Sequence, residues 1–123
     1  MEIQEISGDD YSVSYDVDSA TVIFSGELSL ANPSEYQPIA DLLVQAVSVS
    51  GGSSPVTLNL ESLMFLNSSG ISMLSKFILS LRRQPTVQLI VLGSEDVPWQ
   101  TKSLKNLQKL LPSLELKMLK PEA

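Results

Sequence analysis

The feature that most restricts the fold of this chain is the alternation of β-rich and amphipathic helical segments from residue 56 onward. Residues 56–60 are a short β-rich run and residues 87–92 a nearly apolar one, both typical of strands, and residues 114–118 alternate apolar and polar side chains. Between these runs, apolar residues recur at spacings of three and four, the period of a helix buried along one side. Such alternation predicts parallel strands joined by right-handed crossovers.

Prolines mark the ends of these helices. The helix that begins near Ile71 is stopped by Pro85, and the helix that opens at Pro98 is stopped by Pro112. The run Val87–Leu92 between them is nearly all apolar, which predicts a strand that is buried on both faces.

The first half of the chain adds an antiparallel hairpin and one more helix. Residues 11–17 alternate, residues 20–25 are β-branched and aromatic, and the short turn between them predicts a hairpin. Helical spacing of apolar residues predicts a helix over residues 35–48, with Ser34 as a candidate N-cap. The glycine- and serine-rich segment 50–55 is predicted to be a loop.

The expected architecture is an α/β fold of order ββαβαβαβ. Its mixed β-sheet consists of an antiparallel N-terminal hairpin plus parallel strands, with helices packed on it. A chain of 123 residues has the usual size of one domain. We therefore expect a single domain over residues 1–123, with a core at about 10–119 and short N- and C-terminal tails, the latter at 120–123.

Two residue types that carry much of enzyme chemistry are missing, since the chain contains no cysteine and no histidine. Disulfides, thiolate nucleophiles and cysteine-ligated zinc are excluded, as is the commonest general base. The acidic pairs Asp9-Asp10 and Glu95-Asp96 lack the ligand array of a calcium-binding loop, which favours a role in loop solvation. We expect a protein that is not an enzyme and that has no cofactor and no metal site.

Charge is distributed unevenly along the chain. Residues 1–66 carry ten acidic and no basic residues, so the net charge of −6 divides into −10 for this half and +4 for the rest. Such an acidic protein is a poor nucleic-acid binder. The asymmetry either steers a partner of opposite pattern or is merely solvated. No run approaches the ~20 apolar residues of a membrane span, and no signal peptide is evident. We expect no membrane association and a cytoplasmic location.

The segment Asn67-Ser68-Ser69-Gly70 joins a predicted strand to a predicted helix. A phosphate on a serine at this place would be stabilised by the unpaired amides and by the positive end of the helix dipole. The alternative is that Ser68 or Ser69 is simply the N-cap of the helix. A P-loop is excluded, because no Lys-Ser or Lys-Thr follows the glycine. The sequence also lacks the Gly-x-Ser-x-Gly pattern of a hydrolase nucleophile.

Residues 58–74 resemble the signature of the STAS domain family, whose small bacterial members include the anti-sigma-factor antagonists. These members typically carry an aspartate, Ser-Ser or Ser-Thr and a glycine between a strand and an apolar helix. Gly26-Glu27-Leu28 is similar to the triplet that closes the second strand of the family, and the predicted order of elements is also that of the family. The resemblance covers roughly residues 10–119.

The resemblance implies a regulatory protein that is switched by serine phosphorylation. Members of this family bind a serine kinase of the histidine-kinase-ATPase fold, often an anti-sigma factor, and a PP2C-type phosphatase resets them. By position, Ser68 would be the phosphoacceptor, and Ser69 and Gly70 would shape the start of the helix. Docking would use the loop 66–70, the helix face and the 27–33 connection; the residues concerned are Asn67, Ser72, Ser75, Lys76, Glu27 and Ser29.

Two positions depart from the family pattern. Asn67 stands where the family usually has aspartate, and Ser29 stands where an acidic residue is common. Both changes remove negative charge near Ser68, which indicates a modified switch, a different kinase or a switch that is lost. The alternatives are a constitutive protein-interaction module, a small-ligand-binding module without phosphorylation, and a structural role in an assembly.

Three further features have two interpretations each. The lysines Lys102, Lys105 and Lys109 share a helix face, which is either solvated or holds an acidic partner. We expect Trp99 to pack at a helix start rather than to serve as an exposed binding anchor. We expect Tyr36 to be semi-buried.

Overall fold

The structure is a computed structural model that describes residues 3–50 and 54–120. In these residues six strands form one sheet whose order, β1-β2-β3-β4-β5-β6, follows the chain. The strands are β1 (Ile3–Ser7), β2 (Tyr11–Asp16), β3 (Thr21–Leu28), β4 (Val56–Leu66), β5 (Leu89–Ser94) and β6 (Glu115–Leu119). The α-helices are α1 (Gln37–Ser50), α2 (Ser68–Ser80) and α3 (Pro98–Leu110), and 3-10 helices lie at Pro33–Tyr36 and Leu81–Arg83.

The strand directions confirm the expected mixed sheet. Strands β1, β2 and β3 pair antiparallel, and β3, β4, β5 and β6 pair parallel. The order expected from the sequence does not include β1, because these residues belong to the expected N-terminal tail. Its apolar residues Ile3 and Ile6 are three apart and show no alternation, so its sequence does not indicate a strand. Pairing with β2, where Ile6 lies opposite Val13, is what makes this segment a strand.

The core lies on one face of the sheet, under the helices. Helix α1 contacts β2, β3 and β4, whereas α3 contacts β4, β5 and β6. In β5, Leu89 and Val91 are buried but Ile90 and Leu92 are only partly buried. The prediction that β5 is buried on both faces is therefore wrong. Because the parallel strands follow one another in the sheet, right-handed crossovers place the helices on the same face.

Several element boundaries also differ from the expected ones. Strand β4 continues to Leu66, because β3 pairs with it, through two register shifts, as far as Leu28 opposite Leu66. Ser34 lies inside the first 3-10 helix and is not the N-cap of α1, which begins at Gln37. Of the predicted loop and C-terminal tail, residues 51–53 and 121–123 lie outside the described residues. In the part of the chain that is described, no helix has the length and apolar character needed to cross a membrane.

Candidate functional site

The candidate site is built around Asn67, where β4 ends and α2 begins. Asn67 is the N-cap of α2, and its Oδ1 accepts a 3.0 Å hydrogen bond from the amide of Gly70. The interpretation of Ser68 or Ser69 as the N-cap is therefore wrong. The same Oδ1 accepts a 2.6 Å bond from the Tyr36 hydroxyl, and Nδ2 donates a 2.9 Å bond to the carbonyl of Leu30. One side chain thus joins α2 to the two segments that precede α1.

Tyr36 is fully buried rather than semi-buried, with 1% of its surface exposed. Its hydroxyl accepts a 3.3 Å bond from the Leu30 amide and donates to Asn67. Burial raises the pKa of Tyr36 above its ordinary value, although the bond from Leu30 acts in the opposite direction. The hydroxyl therefore stays protonated at neutral pH and acts as a donor to Asn67.

These contacts explain why the side chain at position 67 is an amide. The side chain must accept from Tyr36 and Gly70 and also donate to the Leu30 carbonyl. An ionised aspartate only accepts, and its second oxygen would face that carbonyl. The departure from the family pattern is thus explained by the hydrogen bonds of this chain.

Gly70 is required by close packing in the first turn of α2. A Cβ added at this position would collide with the side chain of Leu66 and lie 2.9 Å from the Tyr36 hydroxyl. Glycine therefore allows Tyr36 to approach α2 closely enough to bond Asn67. The predicted role of Gly70 in shaping the helix start agrees with this geometry.

Ser68 and Ser69 differ in their exposure. Ser68 is exposed at the first position of α2, whereas Ser69 is half-buried. The first turn of α2 contains no acidic residue that would oppose the attraction between the positive end of the helix dipole and a negative charge placed there. The geometry permits a phosphate on Ser68 more readily than on Ser69. The role of Ser68 as phosphoacceptor stays a prediction.

The residues predicted on the face of α2 do not all lie together. Ser72 and Lys76 are exposed and line a groove of about 630 Å³ between α1 and α2, whose apolar wall includes Val44 and Phe77. We refer to it as the α1–α2 groove. Ser75 does not line it, and its hydroxyl donates a 2.9 Å bond back to the carbonyl of Ile71.

Glu27 and Ser29 lie beside the end of β4. Both are exposed, and Glu27 is opposite Phe65 in the pairing of β3 with β4. The amide of Asn67 donates a 3.1 Å bond to the carbonyl of Leu28, which fixes this connection against the start of α2. The structure therefore brings the 27–33 connection and the Ser68 loop together, as predicted.

Two residues of this region, Met64 and Phe65, were not predicted from the sequence. Their side chains are 54% and 45% exposed, although β4 otherwise buries its apolar residues. The available indication was the sequence Leu63-Met64-Phe65-Leu66, in which four consecutive apolar residues cannot all face one core. We refer to the exposed residues Glu27, Ser29, Met64, Phe65 and Ser68 as the β4–α2 surface.

Trp99 and Gln100, at the start of α3, hydrogen-bond the part of β4 that leads to this surface. Strand β4 pairs with β5 only as far as Asn59, so its last residues lack a partner strand on that side. Trp99 Nε1 donates a 2.9 Å bond to the carbonyl of Leu63. Gln100 Nε2 donates to the carbonyls of Leu60 and Leu63, at 2.6 and 3.0 Å. Two side chains at the start of α3 thus replace the missing strand.

Trp99 is partly buried and packs against the core, which confirms the expectation that it is not an exposed anchor. The role of Gln100 was not predicted, since a glutamine in a helix gives no indication that it is buried. Lys102, Lys105 and Lys109 are exposed on α3, away from the bonds described above. Within residues 3–50 and 54–120, no group of three or more acidic side chains is placed to hold a metal ion.

Comparison with known proteins gives matches among solved structures. A crystal structure of the diguanylate cyclase SiaD in complex with its activator SiaC, from Pseudomonas aeruginosa, matches with a TM-score of 0.73 and 15% identity, over 96% of this chain and 99% of the matched chain. SiaC of the same organism matches with a TM-score of 0.71 and 18% identity, over 98% and 100% of the two chains. The crystal structure of apo-SiaC matches with a TM-score of 0.74 and 14% identity, over 97% and 99%.

No protein-family model matches the sequence, and the search of curated proteins gives no match either. The similarity to the STAS family therefore rests on the Ser68 motif and on the α/β architecture, which is consistent with a STAS-like fold. This chain shares its fold with SiaC over almost the whole length of both proteins.

Proposed function

We propose that this protein is a non-catalytic regulator that binds a protein partner through the β4–α2 surface, and that phosphorylation of Ser68 switches this binding off. The observation that carries the proposal is one exposed serine, Ser68, that follows two exposed apolar residues, Met64 and Phe65, by four and three positions along the chain. Large exposed apolar residues next to one another are a common mark of a protein interface.

The physical basis of the switch is a conflict between apolar burial and charge. Burying Met64 and Phe65 in an interface stabilises a complex by about 25 cal/mol for each Å² of apolar surface. A phosphate on Ser68 adds about −1.5 to −2 charges at neutral pH. That charge would have to lose its hydration in the same interface, a cost that opposes binding. Glu27 lies in the same surface and adds to the repulsion of an acidic partner.

The hydrogen bonds that hold the start of α2 support a switch in which phosphorylation changes the charge of the surface and leaves its structure unchanged. The cap of α2 is made by the side chain of Asn67, which bonds Tyr36, Leu30 and Gly70. None of these bonds uses the Ser68 hydroxyl. Modification of Ser68 therefore leaves the start of α2 in place and changes only what the surface presents to a partner.

The proposed partner is a serine kinase of the histidine-kinase-ATPase fold that acts as an anti-sigma factor, with a PP2C-type phosphatase as the enzyme that resets Ser68. Both come from the resemblance to the STAS family. Such a kinase uses ATP, so the proposed location is cytoplasmic. The fold shared with SiaC, the activator of SiaD, makes a diguanylate cyclase the rival partner class. In either case the α1–α2 groove, which is lined by Ser69 and Lys76, would accept an acidic side chain of the partner.

The first test is intact-mass analysis and phosphopeptide mapping of the protein isolated from its native cells. We expect one phosphate on Ser68 and none in the Ser68→Ala variant. Affinity capture with wild type, Ser68→Ala and Ser68→Asp should then recover a kinase with the first two and lose it with the third. Ser48→Asp is the matched control, because Ser48 is an exposed serine on α1 outside the β4–α2 surface.

The capture experiment tests the phosphorylation switch, the β4–α2 surface and the partner class separately. If Ser68→Asp captures the partner as well as wild type does, the phosphorylation switch is wrong. If Phe65→Ser captures it unchanged, the β4–α2 surface is wrong. Recovery of a diguanylate cyclase in place of a kinase would contradict the anti-sigma partner and keep the surface.

A constitutive binding module is the second candidate. The observation that favours it is the amide of Asn67, which leaves no carboxylate next to Ser68 to assist a kinase. It predicts no phosphate on Ser68 under any growth condition, together with loss of the captured partner in Phe65→Ser.

A further inference from the structure

The face of the sheet opposite the helices has no cover in the described part of the chain. In β4 and β5 the buried side chains alternate with half-buried ones, which point away from the helices. Strand pairing places these in two rows across β4, β5 and β6: Thr57, Ile90 and Glu115 in one row, and Asn59, Leu92 and Lys117 in the next. We refer to these six residues, with the residues that adjoin them on the same side, as the open face.

A bare face is unusual for parallel strands, because such sheets are normally covered by helices on both sides. The run 87–92 is nearly all apolar, which is typical of a strand with two covered faces. Ile90 and Leu92 are nevertheless only half-buried, and Leu119, which follows Lys117 on the same face of β6, is 56% exposed. The sequence of β5 therefore suits a strand with a second cover, which a partner has to supply.

The dimensions of the open face fit one α-helix. Three neighbouring strands span about 10 Å between the outer two, and a helix with its side chains is about 10–12 Å wide. Strand β5 has six residues and so is about 20 Å long, the length of a helix of about 14 residues. On the covered face, α3 contacts these same three strands with 13 residues.

The charges of the open face indicate which kind of helix it accepts. Glu115 and Lys117 form an ion pair of 3.1 Å, so they compensate each other. Three other acids lie on this face: Glu61 follows Asn59 on β4, Asp16 is opposite Thr21, and Glu5 is opposite Ser14. None of the three has a basic partner among the described residues. A basic helix is therefore favoured, whereas a second copy stacked face to face would bring the acids of both copies together.

We propose that the open face binds a basic amphipathic α-helix of a partner protein. The apolar side of this helix packs against Ile90, Leu92 and Leu119, and its lysines or arginines face Glu61 and the acidic half of the sheet. The helix takes the position on the open face that α3 takes on the covered face. No residue of the β4–α2 surface is part of this site, so the inference does not depend on the switch at Ser68.

Model peptides test the proposal. The probe is a peptide of about 14 residues made of leucine and lysine, with leucine at the spacings of three and four that place it on one side of a helix. One control has glutamate for each lysine, and a second has the same composition in an order without helical periodicity. Each peptide is titrated into the ¹⁵N-labelled full-length chain while the amide resonances are followed.

We expect saturating shifts at Thr57, Asn59, Ile90, Leu92 and Lys117 with the probe, and binding at least about tenfold weaker for each control. Equal binding of the glutamate peptide overturns the proposal. Saturating shifts that are confined to the helices or to the β4–α2 surface overturn it as well.

Variants of the chain test the residues. The double variant Ile90→Thr/Leu92→Thr and the single variants Leu119→Ser and Glu61→Gln should each weaken binding of the probe about fivefold or more. The matched controls lie on α1: Val49→Ser, at an exposed apolar residue, and Asp41→Asn, at an exposed acid. Unchanged affinity in the double variant overturns the proposal. If that variant does not fold, unchanged affinity in Leu119→Ser does so, because this side chain is exposed and its loss is tolerated.

Sedimentation velocity of the wild-type chain tests a second copy as the occupant. We expect a monomer, since the acids of the open face oppose stacking of two copies. A dimer that Leu119→Ser dissociates would show that the open face is covered by another copy of this chain, and would overturn the proposal.

Discussion

The hydroxyl of Tyr36 donates a 2.6 Å hydrogen bond to Oδ1 of Asn67, a residue 31 positions further along the chain. This bond ties the segment before α1 to the first turn of α2. Together with the bond from Asn67 Nδ2 to the Leu30 carbonyl, it accounts for two sequence features of the site, the amide at position 67 and the glycine at position 70. The mobility of Ser68 is limited by this contact, because its neighbour in the chain is held from three sides.

Substitution of Asn67 by aspartate should destabilise the protein by about 1–3 kcal/mol. The change removes the donor to Leu30 and places a carboxylate oxygen against its carbonyl. Urea unfolding measures the effect. Asn59→Asp is the control, since the bond that Asn59 makes to the amide of Glu61 is accepted by Oδ1, which aspartate keeps. Equal losses in the two variants would contradict the assigned role of the amide.

Gly70→Ala should cost about 1–3 kcal/mol, although alanine is normally the better helix former. The added methyl group collides with Leu66 and crowds the Tyr36 hydroxyl. Thermal unfolding of Gly70→Ala, compared with Ser69→Ala in the same turn, separates this collision from helix propensity. A Gly70→Ala variant as stable as wild type would show that the packing around Tyr36 is loose.

Gln100→Glu should be among the most destabilising single substitutions in this chain, with a loss of about 3 kcal/mol or more. Nε2 bonds the carbonyls of Leu60 and Leu63, and a carboxylate would face both of them in a fully buried position. Gln45→Glu, at an exposed position of α1, should change stability by less than about 0.5 kcal/mol. The free energy of unfolding in urea is the measurement, and a small loss at Gln100 would contradict the bonding described here.

The stability of the protein should fall at alkaline pH through two buried tyrosines. Burial raises the pKa of both Tyr15 and Tyr36 above the ordinary value of 10.0, and the charge of Asp16 adds to the effect at Tyr15. The folded state therefore holds these protons more tightly than the unfolded state does. Their contribution is fully present below pH 10 and is lost as the pH rises through the folded-state pKa values.

Unfolding free energies at a series of pH values between 8 and about 11.5 test this expectation. The double variant Tyr15→Phe/Tyr36→Phe should lose less stability over that interval than wild type. An identical slope in both proteins would assign the alkaline loss of stability to groups other than these two tyrosines.

The sequence predicted the α/β class and the parallel half of the sheet, because periodicity and strand order determine these features. The meeting of the Ser68 loop with the 27–33 connection was implied only by the resemblance to the STAS family. The sequence did not predict β1, whose two apolar residues carry no pattern and which becomes a strand only by pairing with β2. It also did not predict that Ile90 and Leu92 lie on the uncovered face. An apolar run indicates a strand, but it does not show whether helices cover one face of that strand or both.

The details of the site depended on contacts that sequence spacing does not encode. Serine is a common N-cap, so Ser68 and Ser69 were reasonable candidates, yet Asn67 makes the cap because it alone also reaches Tyr36 and Leu30. Exposure of Met64 and Phe65 follows from the register shifts between β3 and β4, which move these residues out of the alternation. The role of Gln100 becomes clear only when it is known that β4 pairs with β5 no further than Asn59.

The bonds from Trp99 and Gln100 to β4 have a consequence for synthesis of the protein. Strands that neighbour one another in the order of the chain can be added to the sheet as they leave the ribosome. On the side away from β3, however, the last part of β4 gains its hydrogen-bond partners only when residues 99 and 100 have emerged. We therefore expect a nascent chain to complete its β4–α2 surface late, so that a partner meets a competent surface only after most of the chain has been made.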